Sequence, residues 1–502
     1  MAAKATPRKA VVVGAGPVGC LSAISLAKMG WSVEIYERRP DMRLPSSKAA
    51  AQQRSINLAI SARGIAAIEA IHPNAAGRFL KTVIPMRGRM IHHVSGSQES
   101  QLYDKDGQCI NSIGRAFMNE NLLTEALDIP NIRVLFKHKV ASIDFDERIM
   151  VVREVDTERD LEIPFDFCVG ADGSYSIVRG QLMRVIRMDY QQEYIPHDYL
   201  ELKMPAGPVV GGEPTYLLDP NHLHIWPRHT FMLIALPNKD KSFTCTLFAP
   251  TAEFDRFETP GAIIKFFKAH FSDALPLIGE EALLHDFQQN PRSSLMSVKA
   301  TPYHYKDRAI ILGDAAHAMV PFYGQGLNCG LEDVRVLDIL LRAEGVNPAS
   351  LANGGEDSSL ARALARYTES RHEDLVSICE LAMDNYVEMR HSVVTPGFLF
   401  RRALDNILYT ISAKLVASTS LRPTLSREAF PSSTPSAWLP LYTMVTFRPD
   451  ISYSTARRIA SREHRILEVT GWASALIAVS AVGITTITIL RRLGLIHPHN
   501  TG

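Results

Sequence analysis

The sequence predicts an α/β fold: a Rossmann-like dinucleotide-binding domain, an antiparallel-sheet domain, a C-terminal helical region and one C-terminal transmembrane helix. Three observations carry this expectation. A strand, a glycine turn, a helix and a second strand follow one another over residues 9–37. Strand-like runs cluster between about 190 and 300, and helical patterns dominate from about 327 onward. An uncharged apolar stretch lies close to the end of the chain.

The elements are justified in turn. "KAVVV" (9–13) is a short apolar run rich in β-branched residues, as a buried strand requires. "GAGPVG" follows, so that Gly14, Gly16 and Gly19 form Gly-x-Gly-x-x-Gly. The first glycine permits the turn, the second lets backbone approach a pyrophosphate, and the third lets helix and strand pack closely. "PVGCLSAISLAKMG" is helical in character and stops at Gly30, a fitting C-terminal cap. The start of that helix offers free N–H groups and partial positive charge to a phosphate. "SVEIYE" is the second strand and ends on Glu37, at the spacing expected of a carboxylate that binds ribose hydroxyls. Together these features predict dinucleotide binding; a glycine-rich turn beside a solvated Glu is the alternative. They leave open whether the dinucleotide is NAD or FAD.

Two later stretches repeat a strand-to-Asp pattern. "FDFCVGADGSYSIVR" runs into Asp172-Gly173, and "AIILGDAAHAMVPF" runs into Gly313-Asp314. Either alone also suits an ordinary Asx turn. In the middle of the chain "HLHIW", "TFMLIALP" and "SFTCTLFAP" read as strands, with "NKDKS" as a turn, and predict an antiparallel sheet. "LNCGLEDVRVLDILL" and "LARALARYTESRHEDLVSICELAMDNYVEMR" read as helices. The polar stretches 344–359 and 418–436 interrupt them as loops. There is no internal repeat and no second strand–Gly-x-Gly-x-x-Gly–helix unit, so no separate nicotinamide-binding domain is expected.

Bulk properties narrow the function classes. With 502 residues the chain has room for two or three domains. Hydrophobic residues make up 46% and charged residues 21%, which favours a packed core over disorder. A net charge of +1 gives no reason to expect nucleic acid, which needs a concentrated basic footprint. The six cysteines form no Cys-x-x-Cys pair, so neither a metal centre nor a dithiol is expected, and scattered thiols fit a reducing compartment. No secretory signal is expected at the short polar start. "VTGWASALIAVSAVGITTITIL" (469–490) carries no charge. As a helix it spans about 30 Å, the thickness of a bilayer core. Arginines flank it on both sides, and Trp472 lies near one edge. A transmembrane anchor is expected there, with a buried core helix as the alternative.

The order of the three loops, Gly-x-Gly-x-x-Gly, then Asp172-Gly173, then Gly313-Asp314, resembles the single-component FAD-dependent aromatic hydroxylases. Longer strings sharpen the likeness: "RSINLAIS" (54–61), "PMRGRMIHHVSG" (85–96), "VPFYGQGLNCGLED" (320–333), "DNYVEMR" (384–390) and "PLYTMVTF" (440–447). From about residue 9 to 450 the chain is similar to the kynurenine 3-monooxygenase family. The resemblance implies FAD as cofactor, NADPH as electron donor, and hydroxylation of L-kynurenine by O2 through a flavin C4a-hydroperoxide. It also implies the mitochondrial outer membrane, with the catalytic part facing the cytosol. The early glycine loop would hold the pyrophosphate and the Gly313-Asp314 loop the flavin end of the same cofactor.

Carried over residue by residue, the resemblance implies cofactor contacts at Gly14, Gly16, Val18, Gly19, Glu37, Arg38, Ala59, Arg115, Asp314, Leu327 and Asn328. Pro321 and Phe322 would lie near the flavin ring. Substrate contacts would be Arg89, Tyr103, Asn385, Tyr442 and Phe322. The residue types suit an amino-acid ligand. An Arg fork binds a carboxylate bidentately, Tyr can donate to the same group, and Asn both donates and accepts. The plain alternatives are a surface Arg, packing aromatics and a solvated Asn. No side chain is expected to act as an acid or base, and His317 reads as structural. The implied domains are FAD-binding 1–72, 111–185 and 301–345, substrate-binding 73–110 and 186–300, helical 346–465 and transmembrane 469–490.

Overall fold

Strand Lys9–Val13 lies inside a six-stranded sheet, and its last four residues are buried. The computed structural model describes residues 7–47, 57–349, 355–415, 435 and 437–467. Across this sheet the strands run His304–Tyr305, Ala309–Ile311, Phe167–Gly170, Lys9–Val13, Ser32–Glu37 and Ile132–Phe136. All pair in parallel except the first, which is antiparallel. A parallel sheet is covered on both faces, which is why "KAVVV" reads as an unbroken apolar run rather than an alternating one.

Register decides where the loops emerge. Val13 pairs with Gly170, and Gly170 with Ile311. The glycine turn after Val13, the Asp172 loop after Gly170 and the Gly313-Asp314 loop therefore leave the sheet side by side, at the carboxyl ends of three adjacent strands. That edge is where open α/β sheets bind ligands. Helix Pro17–Met29 follows the glycine turn and ends at Gly30, whose φ of +103° supplies the left-handed cap. Helix Gly326–Ala343 packs on it and on helix Ala62–Ile71.

A second, seven-stranded sheet runs Ser293–Thr301, Asp189–Met204, Phe243–Pro250, Phe231–Pro237, His222–Arg228, Gly88–His92 and Gln98–Leu102. Leu200, Leu202 and Met204 alternate inward, as a period of two requires, and meet Phe267, Phe271 and Ile278 from the helices outside. The sheet is mixed rather than wholly antiparallel, because Gly88–His92 pairs in parallel with His222–Arg228. A strand from early in the chain joins there across a long connection, which a hairpin could not provide. The 33-residue helix Ser358–Arg390 begins at Asp357, whose side chain accepts from Ser359 N and Leu360 N. It packs against both helix Gly326–Ala343 and the second sheet, so it bridges the two halves.

The expected transmembrane helix is corrected. Among the described residues no helix is long and apolar enough to cross a membrane. The physical reason is charge. Helix Pro396–Leu415 carries Arg401, Arg402 and Asp405, and the helix over 453–467 carries Arg457, Arg458, Arg462 and Arg465, groups that are costly within a bilayer core. The stretch 469–490 itself lies outside the described residues, as does nearly all of 418–436.

Candidate cofactor and substrate site

The glycine turn is built as its spacing requires. At Gly14, with φ +100°, an added Cβ would fall 2.5 Å from the Ala171 carbonyl oxygen, and at Gly19 it would fall 2.0 Å from that of Gly14. At Gly16 it would meet nothing within 4 Å. Two glycines are thus demanded by the protein's own packing, while the third faces open space beside a helix start, the clearance a pyrophosphate needs. Helix hydrogen bonding begins with Cys20 N to Gly16 O at 2.9 Å, so the amides of Val18 and Gly19 precede the ladder.

Glu37 ends the second strand and is buried. Its carboxylate accepts from Ala15 N at 3.0 Å and from Arg39 N and Nε at 2.9 and 2.8 Å. Burial pushes the carboxyl up, but the Arg39 contacts outweigh it and hold the group below its ordinary range. Arg39, not foreseen from the sequence, thereby fixes the carboxylate, and both it and Arg38 beside it are exposed.

The two distant glycine loops touch through Val18. Its side chain lies against Gly313 and Gly330, where an added Cβ would come within 3.1 and 2.7 Å of Val18 Cγ2. Asp314 opens the short helix Asp314–His317 and is exposed. Asp172 is spent differently. It accepts from Ser176 Oγ, Ile177 N and Val178 N and so caps helix Ile177–Val185. Burial holds its carboxyl above the usual range. Arg179, also unforeseen, ties this loop to the next by donating to Ser174 O and Ala315 O, both at 2.7 Å.

Further along the chain from the Gly313-Asp314 loop, helix Gly326–Ala343 begins just before Leu327 and Asn328. The Asn328 side chain is fully employed by protein. Its Oδ1 accepts from Ser61 N at 2.8 Å, and its Nδ2 donates to Ala59 O at 2.9 Å and Gly324 O at 2.7 Å. What this helix start offers a ligand is therefore its backbone N–H groups. Arg115 is exposed at the start of helix Arg115–Leu127. Pro321 is exposed, and Phe322 behind it is buried.

The five residues expected to meet substrate come together, although they lie on five separate elements. Arg89 is on strand Gly88–His92, Tyr103 follows strand Gln98–Leu102, and Phe322 is in the turn Pro321–Tyr323. Asn385 is on the long helix and Tyr442 on helix Leu441–Phe447. Tyr103 and Tyr442 stack with ring centroids 4.9 Å apart. The Arg89 guanidinium lies 5.8 Å from the first ring and 5.4 Å from the second. Arg89 donates from Nη1 to Glu388 Oε1 at 2.9 Å and from Nη2 to Asn385 Oδ1 at 3.4 Å. Phe322 stacks on Tyr386 at 4.1 Å and meets Phe248 edge-on at 4.9 Å.

Burial works against the charge on Arg89, but Glu388 and the two tyrosines more than restore it, so its pKa rises. Burial pushes the Tyr103 phenol up to about 12, so it remains a donor at neutral pH. Two donors of the cluster, Arg89 Nε and Tyr103 Oη, are buried without a hydrogen-bond partner. Buried polar groups are nearly always paired, and an acceptor on a ligand would satisfy both. Glu388 escaped the sequence reading. The signal was there, since a residue three positions after Asn385 on a helix shares its face.

His317, Cys329 and Asp333 lie together and buried. Asp333 already accepts from His317, from Gly313 N at 3.1 Å and from Arg371 Nε at 3.1 Å. The cluster is a charge-balanced brace under the late glycine loop, and His317 belongs to it.

Residues 8–347 match the FAD binding domain family. A kynurenine 3-monooxygenase of Cryptococcus neoformans is 44% identical over 505 aligned residues, spanning 97% of this chain and 98% of its own. One of Saccharomyces cerevisiae is 42% identical, spanning 91% of this chain and 93% of its own. Among solved structures, 2-methyl-3-hydroxypyridine-5-carboxylic acid oxygenase superposes with a TM-score of 0.59 at 18% identity, over 78% of this chain and 95% of that one, a likeness of fold.

Proposed function

Because this chain belongs to the kynurenine 3-monooxygenase family, we infer that it is an FAD-dependent monooxygenase that converts L-kynurenine to 3-hydroxy-L-kynurenine with NADPH and O2. FAD, when bound, supplies the electron transfer and oxygen activation that no side chain in the site can provide. The open face at Gly16, the amides of Val18 and Gly19, buried Glu37, exposed Asp314 and the helix start at Leu327 and Asn328 are the groups that would hold it.

One observation carries the substrate reading: the buried, unpartnered Arg89 Nε and Tyr103 Oη within one aromatic cluster. A substrate carboxylate would satisfy both, with Asn385 serving a further polar group. Arg89 is held by Glu388 in this structure, so the incoming carboxylate exchanges with, or adds to, an internal one. Phe248, Phe322, Tyr386 and Tyr442 wall the site with aromatic surface and exclude water. The chain needs no base for the aromatic carbon, because the ring amine of kynurenine donates electrons to its ortho position. The protein's work is therefore placement.

The test is anaerobic mixing of the purified yellow protein with NADPH, with and without L-kynurenine, followed by oxygen and product identification. Formation of 3-hydroxy-L-kynurenine in step with NADPH oxidation is the expected result, and NADPH oxidation indifferent to L-kynurenine would overturn it. As to location, the family resemblance supports the outer face of the mitochondrial outer membrane, a proposal that fractionation with protease protection tests.

A further inference from the structure

We propose that Arg63 is a positioning residue for substrate binding, one that fixes the helix carrying Tyr442 and links it to the start of helix Gly326–Ala343. The proposal rests on the reading of Tyr442 as part of the substrate site.

Arg63 is the second residue of helix Ala62–Ile71, and its side chain has no exposure to solvent. A cation in the first turn opposes the helix dipole, and a buried one is costly unless paired, so local helix stability does not account for it. Its partners do. Helix Leu441–Phe447 has seven residues, and its last carbonyls lack acceptor duty within the helix. Arg63 Nε donates to Val445 O at 3.1 Å, and Nη2 lies 3.4 Å from Met444 O, 3.0 Å from Arg448 O and 2.7 Å from Ile451 O. The guanidinium also lies 4.1 Å from the Tyr453 ring. One side chain thus gathers the carboxyl end of the very helix that bears Tyr442.

The remaining face of the fork points to the cofactor side. Arg63 Nη1 donates to Glu332 Oε1 at 2.8 Å, and Glu332 belongs to helix Gly326–Ala343, six positions after Gly326. Two residues before Arg63, Ser61 N donates to Asn328 Oδ1 at 2.8 Å. Arg371 closes the far side by donating to Glu332 Oε2 at 2.8 Å and to Asp333, which accepts from Gly313 N. The Tyr442 ring lies in a stack with Tyr103 at 4.9 Å and Tyr323 at 5.6 Å, 5.4 Å from Arg89. Any tilt of its seven-residue helix would therefore move the ring against the guanidinium that binds substrate. Lysine at this position keeps a charge for Glu332 but gathers all its donors on one atom, so it cannot also span carbonyls from Met444 to Ile451.

The test is a double-mutant cycle on the full-length, FAD-loaded protein, reading the Kd for L-kynurenine by calorimetry and KM and kcat by turnover. Arg63→Lys is expected to weaken binding about tenfold, the scale of coupling between contacting residues. The loss should appear in KM far more than in kcat, with FAD content unchanged. Combined with Tyr442→Ala it should add little to the loss that Tyr442→Ala alone produces. Full additivity, or an unchanged Kd in Arg63→Lys, overturns the proposal while leaving Tyr442 in the substrate site. An unchanged Kd in Tyr442→Ala overturns both. Should Arg63→Lys fail to fold, Tyr453→Leu removes the ring beside the guanidinium without unpairing any charge. It takes the same place in the cycle, with the same outcomes.

Discussion

Asn385 Nδ2 donates to the backbone carbonyl of Phe322 at 2.7 Å, and through this bond the long helix grips the loop expected beside the flavin ring. The same side chain accepts from Arg89 through Oδ1. One amide therefore serves the carboxylate clamp with its oxygen and the cofactor-side loop with its nitrogen, and no other residue type of that size does both. Asn385→Leu leaves the Phe322 carbonyl and one Arg89 N–H without partners in a buried site. The expected cost is about 1–3 kcal/mol in L-kynurenine binding, or roughly 5- to 150-fold in Kd. A second consequence is a fall in product formed per NADPH consumed, since ring and loop lose their fixed relation. Calorimetry and a coupled assay read the two effects.

Arg89→Ala removes the cation that lies 5.8 Å from the Tyr103 ring and 5.4 Å from the Tyr442 ring. A bidentate charged contact is lost, so binding should weaken by about 3 kcal/mol, or roughly 150-fold. FAD content should not change, because Arg89 is on the second sheet rather than on the loops around Gly16 and Asp314. Normal L-kynurenine affinity in this variant would refute the clamp.

The glycine turn offers a sharper contrast within one motif. Gly19→Ala puts a methyl group 2.0 Å from the Gly14 carbonyl oxygen, and backbone cannot yield that far. Loss of folding, seen as a lowered Tm or insoluble protein, is expected. Gly16→Ala puts the same group into open space. That variant should fold with an unchanged apoprotein Tm and yet bind FAD more weakly, measured by fluorescence titration. Equal behaviour of the two would mean that Gly16 has no ligand-facing role.

These contrasts show which parts of the molecule were legible in the sequence. The strand, turn, helix and carboxylate of residues 9–37 are local, and each is written in residues that only that local structure uses well. The Gly326 helix start and the middle strands were legible for the same reason. What escaped was non-local. The parallel pairing of Gly88–His92 with His222–Arg228 depends on a register between distant segments. The grip of Arg63 on Val445 joins positions 382 apart, and nothing in "SARGIA" announces it. Arg179 reads as an ordinary charged helix residue until its partners are seen. Asn328 was expected as a cofactor contact, and its side chain is spent on Ser61, Ala59 and Gly324, a use that sequence spacing does not disclose. The uncharged run 469–490 gave a strong hydropathy signal, yet no described helix has the length and apolar character to cross a membrane.

Acid should undo the brace beneath the late loop in a defined window. Burial pushes the Glu332 carboxyl up, but Arg63, Arg371 and Arg335 outweigh it and bring its pKa to about 2, below the ordinary 4.5. A carboxyl whose folded pKa is depressed binds protons more readily in the unfolded chain, so folding stability falls as pH falls. The contribution is complete above about pH 4.5 and is lost progressively as pH drops towards 2. Stability measured by urea unfolding should therefore decline across that interval. Glu332→Gln cannot be protonated and should show a shallower decline over the same interval, although it starts from a lower stability because Arg63 and Arg371 lose a charged partner. Equal slopes in the two proteins would mean that the Glu332 carboxyl takes up protons alike in the folded and the unfolded chain over this interval, so that the arginines around it do not depress its pKa.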